Sequence, residues 1–268
     1  NSGLGNVRNQ AIEEARGEYI AWNDADDISV PTRLNKQINF LDKHPDFGLL
    51  GTWVKIIDEK SNRTGIKWKD NVTAEEMPIA LLFHNRFAQS SVVLRKSVLP
   101  PEPYRQEYAP TEDYDLWLRL AAKNKAKNFP EILLEYREHS GGQSKLKSRS
   151  KENSVRKLIT EQINKLGIKP NEDELVIHRT NYVYTGENLM RFISEREHWL
   201  NRLVEANNKM GRYDKKDFRK FIGRAWLTSC SSNIKKDSRI KKIFWLSPLS
   251  KNFSLQKDWK QFAKLIFG

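Results

Sequence analysis

The hydrophobic pattern of the chain changes near residue 150, and this change limits the folds that are open to it. Before that point, short apolar runs typical of strands alternate with segments that carry apolar residues at helical spacing. Strands and helices that alternate along a chain predict a layered α/β domain. Beyond that point, the spacing indicates helices with few strands. We therefore predict an α/β domain over residues 1–145 and a basic, mainly α-helical region over residues 146–268.

The predicted elements are as follows. In the first part, strands are predicted over residues 18–23, 47–57, 89–95 and 129–136, and the first is apolar enough to be buried on both faces. Helices are predicted there over residues 6–15, 31–44, 73–83 and 112–122. In the second part, helices are predicted near residues 151–166, 186–208 and 213–231. A final apolar and basic segment, residues 240–267, is divided by Pro248.

Charge divides the chain at the same place. Residues 1–150 carry 22 Lys and Arg against 21 Asp and Glu, whereas residues 151–268 carry 25 against 13. A basic region suggests an anionic partner, such as a membrane surface, a phosphorylated lipid or nucleic acid. The single cysteine, Cys230, excludes an internal disulfide and a multi-cysteine zinc site. Because neither a membrane-spanning apolar run nor a signal-peptide pattern is present, we expect a cytoplasmic location.

Three carboxylates follow the first predicted strand, in the stretch Asp24-Ala25-Asp26-Asp27. Like charges at the end of a buried strand are costly unless a cation or hydrogen-bond donors compensate them. Carboxylates are preferred ligands of Mg²⁺ and Mn²⁺, so one interpretation is a metal site that holds a phosphorylated substrate. The other is an acidic turn in which Asp27 or Ser29 caps the next helix. The motif alone leaves both interpretations open.

A second acidic cluster, Glu112-Asp113-Tyr114-Asp115, follows Thr111, a candidate helix N-cap. Acidic residues in a first helical turn are favoured by the helix dipole, so a purely structural role is open. A carboxylate there could also act as a general base, in a cleft beside the ends of the strands.

Two further polar residues complete the candidate set. His139 follows a predicted strand, where it could complete an oxygen-rich metal site or contact a phosphate. Arg8 follows Gly3 and Gly5, and an arginine near such a permissive backbone suits a phosphate or a planar polar ligand. Each has an ordinary alternative, a surface histidine in one case and a loop-to-helix turn in the other.

The order of the motifs is more specific than any one of them. Four segments come first: Asn1-x-Gly3-x-x-x-x-Arg8-Asn9, Gly17-Glu18-Tyr19-Ile20-Ala21, the acidic turn, and Pro31-x-Arg33-Leu34. Three come later: Gln89-Ser90-Ser91-Val92-Val93, Glu112-Asp113-Tyr114-Asp115-Leu116-Trp117-Leu118-Arg119, and Tyr136-Arg137-x-His139. Over residues 1–140 this order resembles the family 2 glycosyltransferases. The resemblance implies the GT-A fold, a Rossmann-like mixed sheet with flanking helices.

The resemblance also implies which residues hold the donor. Asp24 and Asp26 match the two carboxylates of the DxD motif, the first contacting the nucleotide sugar and the second binding a divalent metal, Mn²⁺ or Mg²⁺. Arg8 and Glu112 match positions near the donor. His139 matches a position that ligates the metal in some members.

Asp113 matches the catalytic base of the family. The implied reaction is an inverting, metal-dependent transfer of a sugar from a nucleoside diphosphate sugar, most commonly a UDP-sugar in this family, to a saccharide or lipid-linked acceptor. The implied setting is the synthesis of a bacterial cell-envelope or capsule polysaccharide. The basic C-terminal region is then expected to contact an anionic membrane, at its inner face, rather than nucleic acid.

Two other functions stay open on the residues alone. Two carboxylate clusters could flank a scissile bond in a metal-dependent hydrolase of phosphate or glycosidic bonds. Alternatively, the basic half could be a non-catalytic module that binds an anionic membrane or nucleic acid, through Lys235, Lys236, Arg239, Lys241 and Lys242 near Phe244 and Trp245.

The family's first strands, which hold the nucleotide base and ribose, are expected to precede Asn1. We therefore expect an N-terminally truncated form of the fold, in which one edge of the sheet is exposed.

Overall fold

The computed structural model describes residues 3–138, 148–180 and 182–267. They divide into two compact units, Asn1–Leu158 and Ile159–Gly268. The predicted limit between residues 145 and 146 lies outside the described residues and stays a prediction.

The first unit is built on a mixed sheet of six strands. In chain order these are β1 to β6: Tyr19–Ala21, Ile28–Ser29, Phe47–Ile57, Arg63–Trp68, Val93–Arg95 and Lys125–Arg137. Their spatial order is β1-β5-β3-β6-β2, and β4 pairs with β3 outside this path. The long central strands β3 and β6 run parallel, and the other pairs are antiparallel.

Strand β3 is central because nearly every residue in it is apolar. Its apolar run begins after Pro45 and ends before Asp58, so the predicted limits, residues 47–57, are those observed. Almost the whole strand is buried, as a strand covered on both faces requires.

Four helices belong to the same part of the chain. These are α1 to α4: Gly3–Glu14, Arg33–Lys43, Met77–Ala80 and Glu112–Ala121. Helices α2 and α4 both pack against β3 and β6. A mixed sheet with flanking helices confirms the predicted α/β class.

Several local expectations for this unit were wrong. Strand β1 is not buried on both faces: Ile20 is buried but Ala21 is exposed, because β1 pairs with β5 alone among the described strands. Strand β4 was not predicted, since it is exposed throughout and its sequence lacks an apolar face. The helix predicted over residues 73–83 is regular only over Met77–Ala80.

The remaining helices are α5 to α10: Ser148–Asn164, Glu172–Arg179, Leu189–Met210, Lys215–Asn233, Arg239–Leu246 and Leu255–Phe267. The division between the units falls within α5. In the second unit, α8 packs against α7, α9 and α10. The break predicted at Pro248 is confirmed, because α9 ends at Leu246 and a short 3₁₀ turn precedes α10.

Helix α6 was missed, although its start carries a readable signal. The Asn171 side chain accepts the Glu174 N–H at 2.8 Å, and the Glu174 carboxylate accepts the Asn171 N–H at 2.9 Å. This reciprocal capping box satisfies two N–H groups that a helix start otherwise leaves unpaired.

Candidate active site

The acidic turn after β1 is held by main-chain contacts. The Asp27 N–H donates to the Asp24 carbonyl oxygen at 3.1 Å, which closes the turn. The Asp24 N–H donates to Ser90 Oγ at 3.1 Å. The Asp27 carboxylate is buried and accepts the Arg137 N–H at 2.8 Å. Asp24 is half-buried and Asp26 is exposed, so the three carboxylates of the turn lie in three different environments.

Burial raises the pKa of the Asp27 carboxyl. Hydrogen bonds from Ser90 and from the Arg137 N–H act in the opposite direction, while the charges of Asp26 and Asp24 add to the rise. Neither Asp27 nor Ser29 caps α2, since the N-cap position is Thr32 and its side chain makes no capping hydrogen bond.

Arg137 fastens the turn to the β3–β4 hairpin. Its Nε donates to the Asp26 carbonyl oxygen at 2.8 Å, and its Nη1 donates to the Asp58 carbonyl oxygen at 3.0 Å and to Ser61 Oγ at 2.9 Å. The guanidinium therefore binds main-chain and hydroxyl oxygens from two separate loops, which fixes the path of the chain at Asp26.

Two polar residues of helix α2 form hydrogen bonds to the segments beside the turn. Arg33 is buried and donates to the Ser90 carbonyl oxygen at 2.6 Å and to the Trp22 carbonyl oxygen at 3.0 Å. Gln37, one helical turn later, donates to the carbonyl oxygens of Leu50 and Ser91, at 2.7 and 3.0 Å. These contacts tie the end of β1, β3 and the segment around Ser90 together.

Sequence reasoning predicted a different buried face for this helix. Leu34, Ile38 and Leu41 recur at helical spacing and so predict a shared apolar face. Leu41 is buried as this predicts, but Leu34 is 43% exposed, and Arg33 and Gln37 face the core beside Leu41. Burial lowers the pKa of Arg33, and the charge of Asp27 opposes this. The spacing of the sequence could have indicated that Arg33 and Gln37 are buried, since residues 33, 37 and 41 lie on one helical face.

The second acidic cluster begins α4, and its first two members meet Arg8. Glu112 is buried and forms an ion pair with Arg8 at 3.1 Å. Asp113 is half-buried, accepts the Tyr114 N–H at 2.7 Å and lies 3.4 Å from Asn85 Nδ2. Burial raises the pKa of Asp113; the Arg8 charge opposes the rise and the Glu112 charge adds to it. The candidate Thr111 cap is absent, because Thr111 Oγ1 donates to the Tyr108 carbonyl oxygen.

The last member of the cluster has a structural environment. Asp115 is buried and lies between two arginines, with Arg105 Nη2 at 2.5 Å and Arg119 Nη2 at 2.8 Å. The Arg105 guanidinium also lies over the Tyr108 ring, 4.4 Å from its centroid. Asp115 is thus the member of the cluster that arginines neutralise on both sides.

Tyr104 joins the two acidic regions. Its ring meets Trp22, two residues before Asp24, edge-on at 5.8 Å, and its hydroxyl accepts Gln89 Nε2 at 3.0 Å. The Arg8 guanidinium lies 5.5 Å from the centroid of the same ring. No sequence pattern had singled out this fully buried tyrosine.

The main chain of Tyr104 is fixed to α1. Asn9 Nδ2 donates to the Tyr104 carbonyl oxygen, and the Tyr104 N–H donates to Asn9 Oδ1, both at 2.8 Å. This paired amide contact sets where Arg8, on the same helix, stands beside Glu112.

The structure thus brings Arg8, Glu112 and Asp113 together and connects them, through Tyr104, to the turn that carries Asp24 and Asp26. His139 lies outside the described residues. Across residues 3–138, 148–180 and 182–267, no group of three or more His, Cys, Asp or Glu side chains is arranged to hold a metal ion. Within the same residues, no helix is both long enough and apolar enough to cross a bilayer.

Comparison with known proteins decides the family. The sequence profile of Glycosyl transferase family 2 matches residues 1–99. This match covers α1, the acidic turn, α2 and the sheet as far as β5. Residues 1–99 therefore belong to glycosyl transferase family 2. Its mixed sheet, flanking helices and helical C-terminal region fit a GT-A-like fold, as the resemblance implied.

Three curated relatives illustrate the range of matches. An uncharacterized glycosyltransferase of Methanocaldococcus jannaschii is 34% identical over 138 residues, which is 51% of this chain and 48% of that protein. The amylovoran biosynthesis glycosyltransferase AmsE of Erwinia amylovora is 31% identical over 140 residues, 51% of each chain. The third is an Escherichia coli protein, the UDP-Glc:alpha-D-GlcNAc-diphosphoundecaprenol beta-1,3-glucosyltransferase WfaP. It is 31% identical over 160 residues, 59% of this chain and 61% of that protein. The chain therefore spans about half to three fifths of these relatives.

Proposed function

We propose that this protein transfers a sugar from a nucleoside diphosphate sugar to a saccharide or lipid-linked acceptor, with inversion at the anomeric carbon. The observation that carries the proposal is the connection between the two acidic regions through Tyr104. An acidic turn with an exposed Asp26 is joined, through Tyr104, to a half-buried Asp113 beside Arg8. One region can hold the donor diphosphate, and the other can activate an acceptor hydroxyl.

On the donor side, we propose that Asp24 and Asp26 contact the nucleotide sugar and a divalent cation, Mn²⁺ or Mg²⁺. The residues fit such an ion in two ways. Carboxylates are the oxygen donors that these hard cations prefer, and Asp26 is exposed in a turn that main-chain groups and Asp27 hold in place. A bound cation would neutralise charge on the departing diphosphate. Arg8 and Glu112 are proposed to contact the donor, and His139 to complete the metal ligands.

On the acceptor side, Asp113 is the proposed general base. Its carboxylate takes the proton of the acceptor hydroxyl while that oxygen forms the new bond to the anomeric carbon and the bond to the diphosphate oxygen breaks. Because burial raises its pKa, Asp113 is a stronger base than an ordinary surface aspartate. One displacement from the face opposite the leaving group inverts the configuration.

The names of the relatives suggest the setting. AmsE acts in amylovoran biosynthesis, and WfaP is named for transfer from UDP-Glc to a diphosphoundecaprenol-linked sugar. We propose the corresponding class for this chain, with a UDP-sugar donor and an acceptor in cell-envelope polysaccharide synthesis. We further propose a cytoplasmic protein that associates peripherally with the inner face of the membrane through its basic C-terminal unit.

A panel of nucleoside diphosphate sugars, with and without Mn²⁺, tests the reaction. With lipid-linked saccharide acceptors, we expect a glycosylated product and free nucleoside diphosphate, formed only when the cation is present. Release of free sugar or phosphate without an acceptor product would instead indicate a hydrolase. An activity that is insensitive to chelation would contradict the metal assignment.

A matched pair of variants tests the donor site. Asp26→Asn should weaken cation-dependent nucleotide binding, measured by titration calorimetry, by about tenfold or more because it removes one anionic ligand. The control is Asp46→Asn, which removes an equally exposed carboxylate from a surface ion pair with Lys125 and should leave binding unchanged. Equal effects of the two substitutions would remove Asp26 from the site.

A further inference from the structure

The last two helices of the second unit expose an unusual amount of apolar surface. Trp245 and Leu246, at the end of α9, are 52% and 75% exposed. Leu255 and Trp259 of α10 are 59% and 60% exposed. Single exposed apolar residues are common, but several large ones on neighbouring helices mark a surface that binds something.

These side chains belong to one surface. The Trp245 ring meets Phe262 edge-on, with centroids 6.0 Å apart, so the exposed end of α9 lies beside α10. On α10, Leu255, Trp259 and Phe262 follow one another at helical spacing and form a stripe along one face. Lys241 Nζ donates to the Ile266 carbonyl oxygen at 2.6 Å and joins the two helices at the other end.

The side of α10 next to this stripe is anchored in the unit. Leu265 and Asp258 are buried there, and Asp258 forms an ion pair with Arg224 of α8 at 2.9 Å. The helix therefore has an inner face that is already packed, and Leu255 and Trp259 lie at the exposed edge of that face.

Positive charge shares the exposed side of these two helices. Residues 239–267 contain seven Lys and Arg and one acidic residue, Asp258, which Arg224 already neutralises. Lys242, Lys260 and Lys264 are exposed. Bulky apolar side chains among solvated lysines are the pattern of a helix that lies in the interface of an anionic bilayer.

We propose that α9 and α10 form the membrane-docking surface of this protein, with Trp245, Leu246 and Trp259 entering the headgroup region of an anionic bilayer and the lysines facing its phosphates. The inference rests on the peripheral membrane association proposed above and names the surface responsible. A second copy of the chain is a poorer occupant, because self-association through this surface would place lysines against lysines.

Sedimentation with vesicles tests the proposal. The whole chain is mixed either with vesicles of equal parts phosphatidylglycerol and phosphatidylcholine or with vesicles of phosphatidylcholine alone. We expect binding to the anionic vesicles that weakens as salt is added, and at least about tenfold weaker binding to the neutral ones. If the chain does not sediment with anionic vesicles, both the membrane association and this surface are wrong, whereas the sugar-transfer assay is unaffected.

A charge-reversal pair identifies the surface. Lys260→Glu with Lys264→Glu should reduce binding to anionic vesicles by about tenfold or more. The matched control, Lys216→Glu with Lys220→Glu, changes an equally exposed pair at the same spacing on α8 and should reduce binding much less. Equal losses would mean that net charge matters and α10 does not, which would overturn the proposal while leaving the membrane association in place.

An apolar pair tests insertion. Leu246→Ser should weaken vesicle binding severalfold and reduce the quenching of tryptophan fluorescence by brominated lipid. Val176→Ser on α6, which changes another exposed aliphatic residue of the same unit, should do neither. If Leu246→Ser instead abolishes a dimer detected by sedimentation velocity and leaves vesicle binding unchanged, the surface is an interface between copies and the proposal is wrong.

Discussion

The two acidic clusters of the first unit have similar composition, but they differ in which carboxylates are buried and in what holds those carboxylates. In the turn after β1, the buried carboxylate is the last one, Asp27, and the support comes from a main-chain N–H and from carbonyl contacts of Arg137. At the start of α4, the buried carboxylates are Glu112 and Asp115, and each is paired with arginine side chains. Asp113 stands between them, half-buried.

The difference shows that the role of a carboxylate depends on what the rest of the chain brings to it. Where an arginine side chain meets the carboxylate, as at Asp115, its charge is neutralised within the fold. Where main-chain groups hold the turn, as around Asp26, the loop is fixed while the side chain stays exposed. Asp113 combines a helix-start position with the burial that makes a carboxylate basic.

The largest expected effect is on Asp113. Asp113→Asn should lower the rate of sugar transfer by about 10² to 10⁴-fold, because it removes a general base while keeping the shape of the side chain. Nucleotide binding should change little, since the donor contacts lie elsewhere. Steady-state kinetics and calorimetry measure the two separately.

The neighbouring Asn85→Ala variant is the control for this result. Asn85 Nδ2 lies 3.4 Å from the Asp113 carboxylate but carries no base, so it should cost far less activity. If Asp113→Asn retains full turnover, the base is another residue and the distinction between Asp113 and Asp115 loses its functional meaning.

Asp115 should show the reverse behaviour. Asp115→Asn leaves two arginines facing a neutral amide, and we expect it to lower the free energy of unfolding by about 2 kcal/mol. The expected loss lies at the low end for a buried pair, because Arg105 and Arg119 retain side-chain exposures of 31% and 26% and can be hydrated. Urea denaturation measures it.

A matched surface pair serves as the comparison for Asp115. Lys36 and Glu131 form an ion pair between side chains that are 37% and 46% exposed, so Glu131→Gln should change stability little. If Glu131→Gln lowers the free energy of unfolding as much as Asp115→Asn does, the burial of a carboxylate does not determine how much it contributes to stability in this protein.

The sequence anticipated the elements with strong local patterns. Strand β3 was predicted to the residue because Pro45 and Asp58 bound a run in which only Thr52 and Lys55 are polar, and α4 was predicted to within one residue of its end. The contacts of Arg33 and Gln37 could not be predicted from α2 itself, because their partners are carbonyl groups of residues up to 57 positions away in the chain. Tyr104 gave no local signal for the same reason.

The candidate site was anticipated by motif order, but its connections were not. The resemblance placed Arg8 and Glu112 near the donor and made Asp113 the catalytic base, and the structure adds the ion pair between Arg8 and Glu112. That contact joins residues 104 positions apart, so no local pattern could reveal it. The assignment of roles to these residues stays a prediction for the experiments above.

A pH profile sharpens the comparison further. Since burial raises the pKa of Asp113, and only the ionised carboxylate is a base, the acidic limb of kcat/KM should lie above the ordinary aspartate value. The Arg8 charge opposes this rise, so Arg8→Gln should move the limb to still higher pH, whereas Arg8→Lys should keep it in place. An unmoved limb in Arg8→Gln would assign the titration to a different group.

The smallest effect is expected at Asp27. In the native protein the Arg137 N–H donates to Asp27 Oδ1 at 2.8 Å. Asp27→Asn keeps an oxygen that can accept this N–H, and the new amide NH₂ can donate towards Ser90. Burial disfavours the charged form of the Asp27 carboxyl, whereas the positive charge of Arg33 favours it. Removing the charge therefore changes the free energy of unfolding in two opposite directions. We expect the free energy of unfolding to change by less than about 1 kcal/mol, well below the loss at Asp115. Urea denaturation could instead show the same loss of stability for Asp27→Asn as for Asp115→Asn. Arg33 would then pair with Asp27 as Arg105 and Arg119 pair with Asp115, and the two clusters would be stabilised in the same way.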